Sequence, residues 1–208
     1  MLKDYQRNDQ HFDSTILPTG AFTKPLNFSS SQTKPIALRK HPPAVALVAR
    51  PGTGKTTLVT KLIEELKSRG YRVGAVKHGP PDFEIDHPGK DSHRFTQAGT
   101  DNMLIASDNK LAFIKKQQQI PPLEELLTDY FPDVDIILVE GFKYTNLPKI
   151  EIHRHEKGAA LLCRGDNYYD SSLLAVATDD NLLVDVPRLG LNNPGEVVDF
   201  LLSSFAIL

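Results

Sequence analysis

Ala44-Val45-Ala46-Leu47-Val48-Ala49-Arg50-Pro51-Gly52-Thr53-Gly54-Lys55-Thr56-Thr57 decides the reading of this chain. The first six residues are a continuous apolar run, the pattern of a strand buried on both faces of a parallel sheet. From Ala49 to Thr56 the chain then fits the phosphate-loop pattern of Gly, four residues, Gly-Lys-Ser/Thr at every position but the first glycine. The residue types follow from the task. Backbone N–H groups must curl around phosphate oxygens, and Gly52 and Gly54 permit that close approach. A helix starting near Lys55 aims its free N–H groups and positive dipole end at the same anion. Lys55 adds a charge for the β and γ phosphates, Thr56 offers a hydroxyl to Mg2+, and Thr57 is placed for the α phosphate. Arg50, Pro51 and Thr53 complete the loop. Ala49 in place of glycine adds a Cβ, which costs about 1 kcal/mol or more if that position needs a positive φ.

Downstream, Leu58, Val59, Leu62, Ile63 and Leu66 form the apolar stripe of a helix over residues 55–69, and Gly70 stands where a left-handed C-terminal cap belongs. Residues 71–76 make the next strand, closing a βαβ unit. Short strands are expected over 102–106 and 111–114. Leu123, Leu126, Leu127, Tyr130 and Phe131 mark a helix behind Pro121-Pro122. Residues 134–139, 150–153 and 173–177 supply further strands. A last helix starts with Asn193 as N-cap, Pro194 at its first position and Glu196 three residues after the cap. The alternation predicts an α/β fold: a three-layer phosphate-loop nucleotide-binding domain over residues 44–208, with a mainly parallel sheet and helices on both faces. Residues 1–43, polar and without a sustained period, read as a weakly ordered N-terminal arm.

A phosphate-loop protein also needs a carboxylate near Mg2+, at the end of a neighbouring apolar strand. Glu140 follows Ile136-Ile137-Leu138-Val139, and Gly141 lets the chain turn beside it. The charged run Lys77 to Arg94 leaves the carboxyl end of the second strand, where loops of such sheets face the ligand. Lys77, Asp86, Lys90, Asp91 and Arg94 are therefore placed to meet phosphate, metal or a second substrate. His78, His87 and His93 with Asp82 and Asp86 match no zinc spacing and read as surface or phosphate-facing groups.

With 24 Lys and Arg against 26 Asp and Glu, the chain lacks the net charge for a whole-surface grip on nucleic acid or anionic membrane. No apolar run approaches the roughly 20 residues that span a bilayer. The single cysteine, Cys163, forms no internal disulfide and reads as a small strand residue; with no secretory pattern at the start, a cytoplasmic location is expected.

The chain resembles the molybdopterin-guanine dinucleotide biosynthesis adapter family, MobB. The matching stretches are Gly54-Lys55-Thr56-Thr57-Leu58, Lys77-His78, Asp82-Phe83-Glu84-Ile85-Asp86, and Pro88-Gly89-Lys90-Asp91-Ser92 with Arg94. Ala98-Gly99, Leu138-Val139-Glu140-Gly141-Phe142-Lys143, Pro148-Lys149-Ile150-Glu151 and Ala177-Thr178-Asp179 continue it, over about residues 44–205. The resemblance implies GTP and Mg2+ as ligands and weak GTPase activity at most. It also implies a homodimer that contacts the molybdenum cofactor guanylyltransferase joining GMP to molybdopterin. Within it, Lys55, Thr56 and Thr57 serve phosphate and Mg2+, Glu140 the metal region, and Asp86 and Asp91 the ordering of Mg2+ or an attacking water. The chain departs from the family at Ala49, where glycine is usual, and at Pro80-Pro81, where His-His often stands.

Base identity has the weakest residue signal. No Asn-Lys-x-Asp element is present, and Thr178-Asp179-Asp180-Asn181 after the strand over 173–177 is its best-placed substitute, with a polar turn as the other reading. Two further functions use the same fold: a stand-alone phosphotransferase or kinase, and a metal-insertion GTPase. A kinase needs grouped arginines over the γ phosphate, whereas Arg154, Arg164 and Arg188 are scattered.

Overall fold

A computed structural model describes residues 41–80, 83–158, 160–165 and 168–207. All fall within the unit Leu38–Leu208. The expected arm lies outside the described residues up to residue 40.

Six strands form one sheet: β1 (Ala44–Ala49), β2 (Val73–Lys77), β5 (Ile136–Glu140), β6 (Lys149–His153), β9 (Leu173–Thr178) and β10 (Arg188–Gly190), in the order β10-β9-β6-β1-β5-β2. Every neighbouring pair is parallel. β3 (Asn102–Ser107) and β4 (Lys110–Lys115) do not join it. They pair with each other as an antiparallel hairpin. β7 (Arg164–Gly165) and β8 (Tyr168–Tyr169) form a second small antiparallel pair.

Side-chain alternation along β1 explains the layers. Val45 and Leu47 point to one face with Ile136, Leu138, Ile150 and Ile152, where α1 (Lys55–Ser68) adds Leu58, Leu62 and Leu66 and α4 (Pro194–Phe205) adds Val197, Val198 and Leu201. Ala44, Ala46 and Val48 point to the other, with Ile137 and Val139, and meet Leu123 and Leu127 of α3 (Leu123–Tyr130). Irregular chain carrying Leu147, Cys163, Val184 and Val186 covers the rest of that face. Among the described residues, helices thus lie on both faces, with α3 on the second.

The ends of the helices obey the sequence signals. Gly70 takes φ +88° while Tyr71 N–H donates to Leu66 O at 3.1 Å and Gly70 N–H to Lys67 O at 3.0 Å, which satisfies two orphan carbonyls. Asn193 caps α4 by accepting from Glu196 N–H at 3.3 Å, with Pro194 in the first turn. One expectation needs correction. Tyr130 is exposed rather than part of the α3 face, and Phe131 lies just past the helix end, where it packs on the core. Ala49 ends β1, and the non-glycine residues with positive φ among those described are Phe142 and Ala206, so Ala49 carries no backbone strain. One helix was not expected: α2 (Asp91–Gln97), which buries no side chain.

Among the described residues, no helix is long and apolar enough to cross a membrane.

Candidate functional site

Because the six strands run in the same direction, their carboxyl ends share one edge of the sheet. β1 leads to the phosphate loop, β2 to Lys77-His78, β5 to Glu140, β6 to Arg154 and β9 to Asp179. The chain runs first to one side of β1, through β2 and β5, and then to the other, through β6, β9 and β10. The phosphate loop leaves β1 at that switch point, where open α/β sheets hold their ligands.

The loop is built as its sequence requires. Gly52 and Gly54 take φ +75° and +88°, left-handed conformations that an L side chain occupies only with strain. Thr53, almost wholly buried, donates its hydroxyl to Arg50 O at 3.0 Å and pins the turn from within. Arg50 donates through Nε to Ala160 O at 2.8 Å and pins it from outside. α1 starts at Lys55 with no side-chain cap and no acid in its first turn. Leu58 N–H closes the first helical bond on Gly54 O, so the N–H groups of Lys55, Thr56 and Thr57 have no partner in the helix. An uncapped, acid-free N-terminus is suited to an anion.

Glu140 pairs in register with Leu47 of β1 and Lys77 of β2, which puts its carboxylate beside the loop. Its Oε1 accepts from Lys55 Nζ at 3.1 Å and from Thr56 Oγ1 at 3.3 Å. Gly141 turns the chain at φ +94°; a Cβ there would lie 3.1 Å from His78 Cβ. His78 N–H donates to Glu140 O at 3.0 Å, and its ring meets Phe142 edge-on at 5.0 Å. A cleft of about 460 Å3 opens over these groups, lined by Ala49, Lys55, His78, Glu140, Phe142 and Tyr144 among others. Lys55, Thr56 and Glu140, 84 or 85 positions apart in sequence, are thereby brought together as expected.

Asp179 stands just past β9 on the other side of the loop. It accepts from His155 N–H at 2.8 Å, and its Oδ2 lies 3.5 Å from Arg154 Nη1. Arg154 also donates through Nε to Thr53 O at 3.3 Å. In sequence Arg154 is one of three scattered arginines, and no spacing signal joins it to Thr53, 101 positions away. The other two are engaged elsewhere, Arg164 with Asp185 at 2.7 Å and Arg188 with Asn181.

Asp86 and Asp91 do not line the Lys55–Glu140 cleft. Asp91 opens α2, exposed, 3.6 Å from Arg94. Asp86 lines an adjoining cleft of about 840 Å3 between the segment after β2, α2 and β4, which shares His78 with the first. The Ser92 side chain, ahead of His87 N–H, holds the Asp86 carboxyl below its ordinary range. Asp82 lies outside the described residues; among those described, no group of three or more His, Cys, Asp and Glu gathers as a metal site.

Beneath the edge, β6 carries buried polar groups. Glu151 accepts from Leu162 N–H at 2.5 Å and Cys163 N–H at 2.8 Å, anchoring the segment that brings Leu162 to the cleft wall. Lys149, fully buried, pairs with Asp170 at 2.9 Å and donates to Ser172 Oγ and Thr145 O. Cys163 lies just before β7, buried; desolvation, with Glu151 beside it, pushes its thiol up to about 12. It is packing, not a nucleophile.

Known proteins are similar to this chain in sequence and fold. The family profile described as molybdopterin guanine dinucleotide synthesis protein B matches residues 44–179. The chain is 37% identical over 164 residues to a molybdopterin-guanine dinucleotide biosynthesis adapter protein of Escherichia coli, covering 76% of this chain and 90% of the relative. It is 34% identical over 169 residues to the protein of the same description in Haemophilus influenzae, covering 81% and 92%. A crystal structure of molybdopterin-guanine biosynthesis protein B superposes with a TM-score of 0.61 at 25% identity, covering 77% of this chain and 99% of that one. With its phosphate loop, Glu140 and the matching span of residues, the chain belongs to the MobB family.

Proposed function

We propose that the chain binds GTP with Mg2+ on the loop from Arg50 to Thr57 and acts as an adapter for the guanylyltransferase that attaches GMP to molybdopterin. The observation that carries the reading is the convergence of Lys55 and Thr56, at an uncapped helix N-terminus, on Glu140 Oε1. The relatives' description as biosynthesis adapter proteins supports the role.

The residues suit Mg2+. Thr56 and Glu140 offer hard oxygen donors 3.3 Å apart, the ligand chemistry that Mg2+ takes alongside phosphate and water. When bound, the ion neutralises charge on the phosphates. Lys55 contributes a further positive charge, and the N–H groups of Lys55, Thr56 and Thr57 orient the phosphate oxygens. Asp179, on the β9 side of the loop, is the group offered to the base. Asp86 and Asp91 do not line the cleft of Lys55 and Glu140; from the adjoining segment they are offered to a water rather than to Mg2+ held by Thr56 and Glu140, in keeping with weak hydrolysis at most.

A homodimer in the cytoplasm is part of the same reading. Leu104, Ile105, Leu111 and Phe113 leave the hairpin β3–β4 with exposed apolar surface of the kind a second copy would cover.

Nucleotide titration tests this function, GTP against ATP, with turnover followed for the chain alone and with the guanylyltransferase. The reading expects tighter GTP binding, turnover that is slow alone, and an effect on the transferase. Tighter ATP binding sinks the guanine assignment. Rapid hydrolysis or phosphate transfer to a small acceptor by the isolated chain replaces the adapter with a phosphotransferase.

A further inference from the structure

Thr53 and Gly54 share one peptide group. A trans peptide is planar, with its C=O and N–H pointing to opposite sides. Thr53 O accepts from Arg154 Nε at 3.3 Å, so the Gly54 N–H of that same plane points away from Arg154. The Thr53 hydroxyl on Arg50 O and Leu58 N–H on Gly54 O hold the residues either side of this peptide, while its own C=O is held by Arg154. Gly54 sits at φ +88°, and a residue without a Cβ lets a peptide rotate at small steric cost. Arg154 packs close against that position: a Cβ on Gly54 would stand 3.2 Å from its Nη2, a tight contact.

The guanidinium is itself held from the far side. Its Nη1 lies 3.5 Å from Asp179 Oδ2, while Asp179 Oδ1 accepts from His155 N–H at 2.8 Å and fixes the turn after β6. A planar fork with several donors can serve both partners at once, which an ammonium point charge does less well. Both side chains are about three-quarters shielded, with relative exposures of 28% and 29%.

We infer that Arg154 is a positioning residue: it sets the Thr53–Gly54 peptide so that the Gly54 N–H faces a bound phosphate, and it ties that peptide to Asp179. The inference rests on the reading that the loop holds phosphates. Its consequence is that the base side and the phosphate side of the site are coupled through one side chain. A change at Asp179 then alters the binding of a ligand that has no base at all.

Inorganic tripolyphosphate with Mg2+ is the probe, titrated calorimetrically into the full chain and its variants. Arg154→Ala is expected to bind roughly tenfold more weakly, the scale of one lost hydrogen bond to a charged group. Arg154→Lys is expected to recover part of that loss, because an ammonium still reaches Thr53 O. Asp179→Asn keeps an acceptor for His155 N–H and is expected to bind about threefold more weakly than wild type. Unchanged affinity in both Arg154→Ala and Asp179→Asn overturns the inference. Weakening in Arg154→Ala with Asp179→Asn unchanged removes the coupling. Should Arg154→Ala fail to fold, Asp179→Asn decides alone by the same criterion. No binding by the wild-type chain overturns the phosphate reading itself, and this inference with it.

Discussion

Lys55 Nζ lies 3.1 Å from Glu140 Oε1, and the same oxygen accepts from the Thr56 hydroxyl. One carboxylate atom therefore engages both side chains that a triphosphate and its metal would need. On the proposed function, ligand binding would exchange the Lys55–Glu140 contact for Lys55–phosphate and Glu140–Mg2+ contacts, with Glu140 holding the place of the anion until then. Removing the Lys55 charge is expected to weaken triphosphate binding by about 10- to 100-fold, the range of a charge-assisted hydrogen bond. Glu140→Gln is expected to bind triphosphate with less dependence on Mg2+ than wild type. Titrations with and without Mg2+ check both; a Lys55→Ala chain that binds normally refutes the site.

The buried pair under the site predicts an acid limit. Burial acts to raise the Asp170 carboxyl, but the Ser172 hydroxyl, the Lys149 ammonium, Ser172 N–H and Tyr168 hydroxyl outweigh it and hold the group at about 2, below its ordinary 3.8. A depressed carboxyl stabilises the fold above its unfolded value and loses that contribution as pH falls through the folded one. Asp170 is thus expected to contribute about 1–2 kcal/mol above pH 4, lost between about pH 4 and 2. Denaturant melts across that window, wild type against Asp170→Asn, measure it: the two curves converge at the acid end.

Lys149→Met leaves Asp170 buried without its cation. Breaking such a pair on one side costs about 3–5 kcal/mol. Urea unfolding is expected to show a loss of that size, and a double variant, Lys149→Met with Asp170→Asn, to recover part of it.

Cys163 is expected to resist alkylation in the native protein at pH 8, since it is buried and its thiol is pushed up to about 12. Mass-detected labelling with iodoacetamide should track unfolding in denaturant. Fast native labelling contradicts the burial.

Gly74 of β2 faces Phe131, and an added Cβ would meet the ring Cδ1 at 2.6 Å. Gly74→Ala is expected to cost about 1–3 kcal/mol by overpacking. Phe131→Leu in the same chain should return part of it, which thermal melts of the single and double variants can show.

Much of this protein was legible locally. Residues 44–57 announced a buried strand, a glycine-dependent turn and a helix N-terminus, because each is set by backbone chemistry within a few residues. The caps at Gly70 and Asn193 were legible for the same reason. α2 was not, because a helix that buries nothing leaves no apolar period to read. Lys149, Glu151 and His153 alternate with Ile150 and Ile152 in the pattern of a half-exposed strand, yet all five are buried. Their partners, Asp170, the N–H groups of Leu162 and Cys163, and Thr178, come from distant segments.

The sequence by itself determined the phosphate loop, its carboxylate and the parallel α/β class, since these follow from residue type and period. Only the tertiary structure decided which chain ends meet at the loop. Strand order placed Glu140 on one side of it and Arg154 with Asp179 on the other, and it left Asp86 in a neighbouring cleft. The physical reason is that strand order is chosen by how the two apolar faces of the sheet are covered, a property of the whole core. The contact between Arg154 and Thr53 is its consequence, visible only once β6 lies beside β1.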